Sequence, residues 1–125
     1  PTNEFFTDEY FGPLLGVYVY DDRRYASVVE QMESIAKYAL TGSIIAQDRA
    51  AIAEARETLR FAAGNFYIND KPTGAVVGQQ PFGGGRASGT NDKAGAAQNL
   101  MRWTSTRSIK ETLVPPTDHT HPHMK

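Results

Sequence analysis

Three histidines, His119, His121 and His123, alternate near the end of the chain with Asp118 beside them. On extended backbone alternate residues share a face, so such a set could hold a metal ion. The surrounding tail is polar and supplies no rigid second shell, so we read it as a solvated terminus and expect no metal site. A second cluster, Gly83-Gly84-Gly85-Arg86, could cradle an anion on backbone N–H groups. It carries neither a G-x-G-x-x-G nor a Walker pattern and does not stand between a strand and a helix, so a tight structural loop is the better reading. Arg86, Asp92 and Lys93 could clamp a substrate carboxylate. Such residues more often satisfy loop carbonyls or neighbouring charges, and composition leaves the choice open. Glu9, taken alone, is a surface carboxylate before a turn. There is no cysteine among the 125 residues, which excludes disulfides, thiolate metal sites and a Cys nucleophile.

The elements that must position these residues follow from periodicity. Leu14 to Tyr20 is apolar, aromatic and β-branched and reads as a buried strand. Val28, Val29, Met32, Ile35, Ala36 and Ala39 form one apolar helical stripe, with Gly42 placed to end the helix. Ser43 to Gln47 reads as a second strand. Asp48 can cap a helix from Arg49 to about Ala63, with Ile52, Ala55, Leu59 and Ala62 on its buried face and Gly64 after it. Asn65 to Asn69 reads as a third strand. This β-α-β-α-β order predicts an α/β fold with right-handed crossovers and a mainly parallel sheet. A glycine-rich loop from Asp70 to Gly95 follows, long enough to suggest function. Ala96 to Trp103 is expected to be a short helix, and the alternation from Thr104 to Val114 predicts a C-terminal strand ended by Pro115-Pro116. Hence residues 1–103 read as one segment, 104–114 as a strand and 115–125 as a polar tail.

Composition is that of an ordinary globular chain, with 40% apolar and 22% charged residues and a formal net charge of -1. The thirteen Lys and Arg residues are spread along the chain, and Trp103 and the other aromatics are not interleaved with a basic patch, so no nucleic-acid partner is expected. No apolar run reaches the roughly 20 residues that cross a bilayer, so no membrane partner is expected. Pro1-Thr2-Asn3-Glu4 lacks the basic start of a signal peptide.

Three motifs in order carry a family resemblance. Glu9-Tyr10-Phe11-Gly12-Pro13 resembles the Glu-Ile/Leu-Phe-Gly-Pro signature of aldehyde dehydrogenases. Gly64-Asn65-Phe66-Tyr67-Ile68-Asn69 is similar to the family's G-x-x-x-x-N segment. Pro81 to Gly89 resembles its later P-F-G-G-x-[KR]-x-S-G signature. Tyr67 to Lys71, Gly78-Gln79-Gln80, Thr90-Asn91-Asp92-Lys93 and Arg102-Trp103-Thr104-Ser105 look like the branch of the family that acts on glutamate semialdehyde. The resemblance runs from about Glu9 to Thr112.

The resemblance implies roles. The Glu9 carboxylate would bond the hydroxyls of the nicotinamide ribose of NAD, and the Phe11 ring would pack near the nicotinamide. In the aldehyde-anchor loop Thr73-Gly74-Ala75, the N–H groups of Gly74 and Ala75 would hold the substrate's α-carboxylate. Phe82 would pack on its methylene chain. Tyr10 departs from the usual Ile or Leu, a change expected to be tolerated. Family members are several times longer, and their catalytic Cys, general base and Rossmann-type NAD domain lie upstream of the segment matched here. The chain is therefore expected to be the C-terminal part of an NAD-dependent dehydrogenase converting glutamate semialdehyde to glutamate in proline catabolism. Alone it is expected to be inactive, with no catalytic residue of its own. Its implied partners are the rest of the dehydrogenase chain and further copies, through the strand at 104–114. Its implied location is the bacterial cytoplasm or the mitochondrial matrix. The competing reading is a free-standing, non-catalytic binding module.

Overall fold

The computed structural model describes residues 3–124; Pro1, Thr2 and Lys125, at the ends of the first segment and of the tail, lie outside the described residues. Asp21 accepts a hydrogen bond from the Arg23 N–H (3.0 Å) and so starts a short 3-10 turn, Asp22–Arg24. The chain runs from there into helix α1, Tyr25–Ile35. Val28 and Val29 are its buried residues. The helix stops at Ile35, because Ala36 turns to extended backbone (φ -75°, ψ 121°). The apolar stripe expected to continue to Ala39 and end at Gly42 is thus corrected. Ala39 lies in strand β1, Tyr38–Ala39, and Gly42 in strand β2, Thr41–Ile44. A buried alanine fits a helical and a strand pattern equally, and here pairing with a distant segment decides between them.

Asp48 caps helix α2, Arg49–Thr58, as expected: its carboxylate accepts from the N–H groups of Ala50 (2.8 Å) and Ala51 (3.5 Å). The chain then turns through Leu59 to Ala63 into strand β3, Asn65–Ile68. β2 and β3 pair in parallel, with Thr41 opposite Asn65 and Ser43 opposite Tyr67. The expected β-α-β unit with a parallel pair is therefore present. Side chains alternate across this pair. Ile44 and Phe66 face the helices and pack on Val29, Ala55 and Leu59, together with Tyr25 and Ala62. Ala55 is fully buried, and the Tyr25 hydroxyl donates to the Ala51 carbonyl (2.7 Å), tying α1 to α2. Thr41, Ser43, Asn65 and Tyr67 occupy the other, polar face.

Two expected strands are absent. Leu14 to Tyr20 has no strand partner among the described residues and is exposed except at Tyr20. It lies along α1, where Gly16, Tyr18 and Tyr20 share a cleft with Val28, Gln31, Met32 and Ile35. Thr104 to Val114 forms no strand either; Ile109, Leu113 and Val114 are exposed. A strand needs a neighbour to take its backbone hydrogen bonds, and neither segment has one here. The glycine-rich stretch is more ordered than expected. Strand β4, Gly85–Arg86, pairs antiparallel with β1, and Phe82 bridges to Ala94. The short helix lies at Ala97–Trp103 and is of 3-10 type. Among the described residues no helix is long and apolar enough to cross a membrane.

Candidate aldehyde-anchor site

The polar face of the β2–β3 pair holds the loop that follows β3. The Ser43 hydroxyl donates to the Asp70 carbonyl, the Thr41 hydroxyl to Pro72 (3.3 Å) and the Tyr67 hydroxyl to Thr73 (3.0 Å). The Thr73 hydroxyl donates to the carbonyl of Gly74 (3.1 Å). Gln80 completes the set, its amide N–H donating to the Tyr67 oxygen (3.2 Å). Among the described residues the N–H groups of Gly74 and Ala75 donate to no protein acceptor. Nothing lies within 4 Å of the position a Gly74 side chain would take.

Ala75 and Phe82 line one pocket of about 360 Å³, with Gln80, Pro81 and Gly95 among its other walls. Phe82 is fixed by a reciprocal pair of backbone bonds with Ala94 (2.9 and 2.8 Å). The structure thus brings Ala75 and Phe82 to one pocket, while Gly74, the neighbour of Ala75, is not among its lining residues. Glu9 and Phe11 do not line this pocket and, among the described residues, form no hydrogen bond with this loop. Both are exposed, and Phe11 sits in the left-handed region at φ 47°, rare for a residue with a β-carbon. Nearby, Asp8 pairs with the Lys37 ammonium, which lifts the Lys37 pKa above its usual value. The Lys37 carbonyl in turn accepts from the Ala87 N–H (3.1 Å) in the glycine loop.

The glycine cluster is a packing device, as its sequence suggested. A β-carbon on Gly84 would lie 2.8 Å from the Ala39 carbonyl oxygen, so Gly84 lets the loop press flat on β1. Asn65, 7% exposed, reaches across to the same loop. Its amide N–H donates to the Pro81 carbonyl (2.9 Å), and its oxygen accepts from the Gly83 N–H (3.1 Å). The Lys93 ammonium donates to the carbonyls of Gly64 and Gly83 (3.3 Å for the latter) and to the Asn65 oxygen (3.4 Å). Burial lowers the pKa of Lys93. Arg86 donates to the Glu33 and Ala36 carbonyls (both 2.8 Å) at the end of α1 and pairs with the Glu33 carboxylate. Hydrogen bonds from Thr90 and Arg102 hold the Asp92 carboxyl below its usual pKa. All three loop charges therefore satisfy neighbouring groups, the plainer of the two readings open at the sequence level. In the tail, His121 and His123 stack at 5.6 Å, and among the described residues no group of three or more His, Asp or Glu could hold a metal ion.

Sequence reasoning gave no role to Thr41, Ser43, Asn65 and Tyr67. The signal was present as polar residues at i and i+2 in each strand, which place them on one face.

A parallel β-α-β unit thus carries the glycine-rich loop and its pocket. Residues 1–109 match the model of the aldehyde dehydrogenase family, and the chain belongs to that family. It is similar to the solved Delta-pyrroline-5-carboxylate dehydrogenase from Mycobacterium tuberculosis bound with NAD, at 64% identity and a TM-score of 0.70, covering 94% of this chain and 22% of that one. It is 58% identical over 117 residues to the mitochondrial delta-1-pyrroline-5-carboxylate dehydrogenase of Dictyostelium discoideum, across 94% of this chain and 21% of that protein. The Bos taurus relative of the same name is 54% identical across the whole chain, which matches 22% of its length. The chain thus spans about a fifth of the length of these relatives.

Proposed function

We propose that this chain is the aldehyde-anchoring C-terminal part of a longer NAD-dependent dehydrogenase that oxidises glutamate semialdehyde to glutamate. The observation that carries the reading is the pair of free N–H groups at Gly74 and Ala75 beside the pocket that Ala75 and Phe82 share. A carboxylate accepts from two such donors with charge-assisted strength, and an apolar ring suits the short methylene chain behind it. The names of the relatives support a substrate of this class.

Glu9 and Phe11 are the residues that would meet NAD, which as a cofactor accepts the hydride. The Glu9 carboxylate has no protein partner among the described residues and is free to accept from two vicinal hydroxyls. The exposed Phe11 ring offers a flat face to a flat heterocycle. Without a cysteine, this chain cannot itself form the thiohemiacetal; the nucleophile must come from the remainder of the dehydrogenase. Exposed Ile109, Leu113 and Val114 make 104–114 the proposed contact with another copy of the enzyme. The mitochondrial names of the eukaryotic relatives support a matrix location for a eukaryotic source, and a bacterial source would place it in the cytoplasm.

Steady-state kinetics of the full-length dehydrogenase test the reading. Gly74→Val should raise KM for glutamate semialdehyde at least about tenfold, a loss of roughly 1.4 kcal/mol of binding. An unchanged KM would remove the anchor assignment.

A further inference from the structure

We infer that Tyr67 and Thr73 are positioning residues that aim the two anchor amides, and that Gln80 holds the tyrosine in place; the inference rests on the reading of Gly74 and Ala75 as a carboxylate anchor. The argument is one of peptide geometry. The Thr73 carbonyl and the Gly74 N–H belong to a single planar peptide, and the Gly74 carbonyl and the Ala75 N–H belong to the next. Both peptides are trans, so each N–H points opposite to its own carbonyl. A hydroxyl that fixes the carbonyl therefore fixes the direction of the N–H. Tyr67 does this for the first peptide (3.0 Å) and Thr73 for the second (3.1 Å).

Such fixing is needed here. Gly74 has open space around it, and glycine tolerates both signs of φ, so either peptide could flip at little cost and turn its N–H away. A carbonyl that accepts a hydrogen bond also polarises its own N–H, which strengthens the donor presented to an anion. Gln80 donates to the Tyr67 oxygen (3.2 Å). The single hydroxyl proton of the tyrosine is then directed to Thr73. Ser43 is the register partner of Tyr67 and ties the Asp70 carbonyl, so the strand pair holds the loop at both ends.

The test compares two substrates on the full-length dehydrogenase: glutamate semialdehyde and a short aldehyde without a carboxylate, such as propanal. Tyr67→Phe keeps the ring and removes only the hydroxyl. We expect KM for glutamate semialdehyde to rise about five- to tenfold with kcat held within about twofold, and kcat/KM for propanal to stay within about twofold, the scale of one lost hydrogen bond. Equal losses on both substrates, or no change on either, would overturn the inference. If Tyr67→Phe does not fold, Thr73→Val decides on the same terms through the second peptide. Gly74→Val separates the two levels of argument. If it raises KM while Tyr67→Phe does not, the anchor stands and the aiming role falls. If neither does, the anchor itself falls.

Discussion

Gly64 and Gly83 meet so closely that a β-carbon on Gly64 would lie 2.0 Å from the Gly83 carbonyl oxygen and 2.7 Å from the Gly84 α-carbon. Both obstacles are backbone, so no side-chain rotation relieves them. Gly64→Ala should therefore push the glycine loop off the start of β3 and cost about 1–3 kcal/mol, as overpacking does. The thermal midpoint of the dehydrogenase carrying the change reads this out. Gly74→Ala is the control: nothing lies within 4 Å of that position, and its midpoint should not move.

Asn65 and Lys93 share the same junction, 3.4 Å apart. Asn65→Ala strands the Pro81 carbonyl and the Gly83 N–H, and a loss of about 1–3 kcal/mol is expected from two part-buried groups left unpaired. Lys93→Met removes the donor to Gly64 and Gly83. Because each change takes a partner from the other, the two should not add. A double-mutant cycle by denaturant titration should return a coupling of about 0.5–3 kcal/mol; strict additivity would show that the residues act separately.

Asp92 sets a pH dependence. Its carboxyl is held below its ordinary value of 3.8 by Thr90 first and Arg102 second. A carboxyl depressed in the folded state binds fewer protons there than in the unfolded chain just below that value. Its stabilising effect is therefore complete above about pH 4 and fades as pH falls through the lowered pKa. Melts recorded from pH 5 downward should fall more steeply for the native sequence than for Asp92→Asn. Parallel curves would mean that the Thr90 and Arg102 contacts do not persist in solution.

Gly74→Val should weaken glutamate semialdehyde far more than propanal, because only the first carries a carboxylate for the loop to hold. Inhibition by glutamate should weaken in parallel, since the product presents the same group.

Much of this was legible in the sequence. Asp48 before an apolar stripe located α2 and its cap, and the residues flanking α2 located the parallel pair. Thr73 to Ala75 and Phe82 were singled out by resemblance. The failures share a physical cause. Leu14 to Tyr20 and Thr104 to Val114 have strand-like composition, but a strand is defined by its neighbour, and no neighbour for either lies among the described residues. Ala39 was drawn into a helix because periodicity counts apolar residues and cannot see that β4 arrives from almost fifty positions away, and Gly42, read as the end of that helix, instead pairs with Phe66 of β3. The roles of Asn65 and Tyr67 were hidden for the same reason. Their partners lie across a loop, and spacing along the chain does not record what a loop brings back.

The ties on the anchor loop reach far along the chain: Thr41 holds Pro72 from 31 positions away and Ser43 holds Asp70 from 27. A segment cut out at 70–82 would keep the Gly74 and Ala75 amides with Thr73 and Gln80, and would lose Thr41, Ser43 and Tyr67, which hold the loop from the strand pair. The shape of the loop thus depends on residues distant in sequence. Those ties need α2 to carry β3 alongside β2. Under the proposed anchor role, damage to the helix pair at a residue as small as Ala55 would disturb the loop without altering any group that meets the substrate.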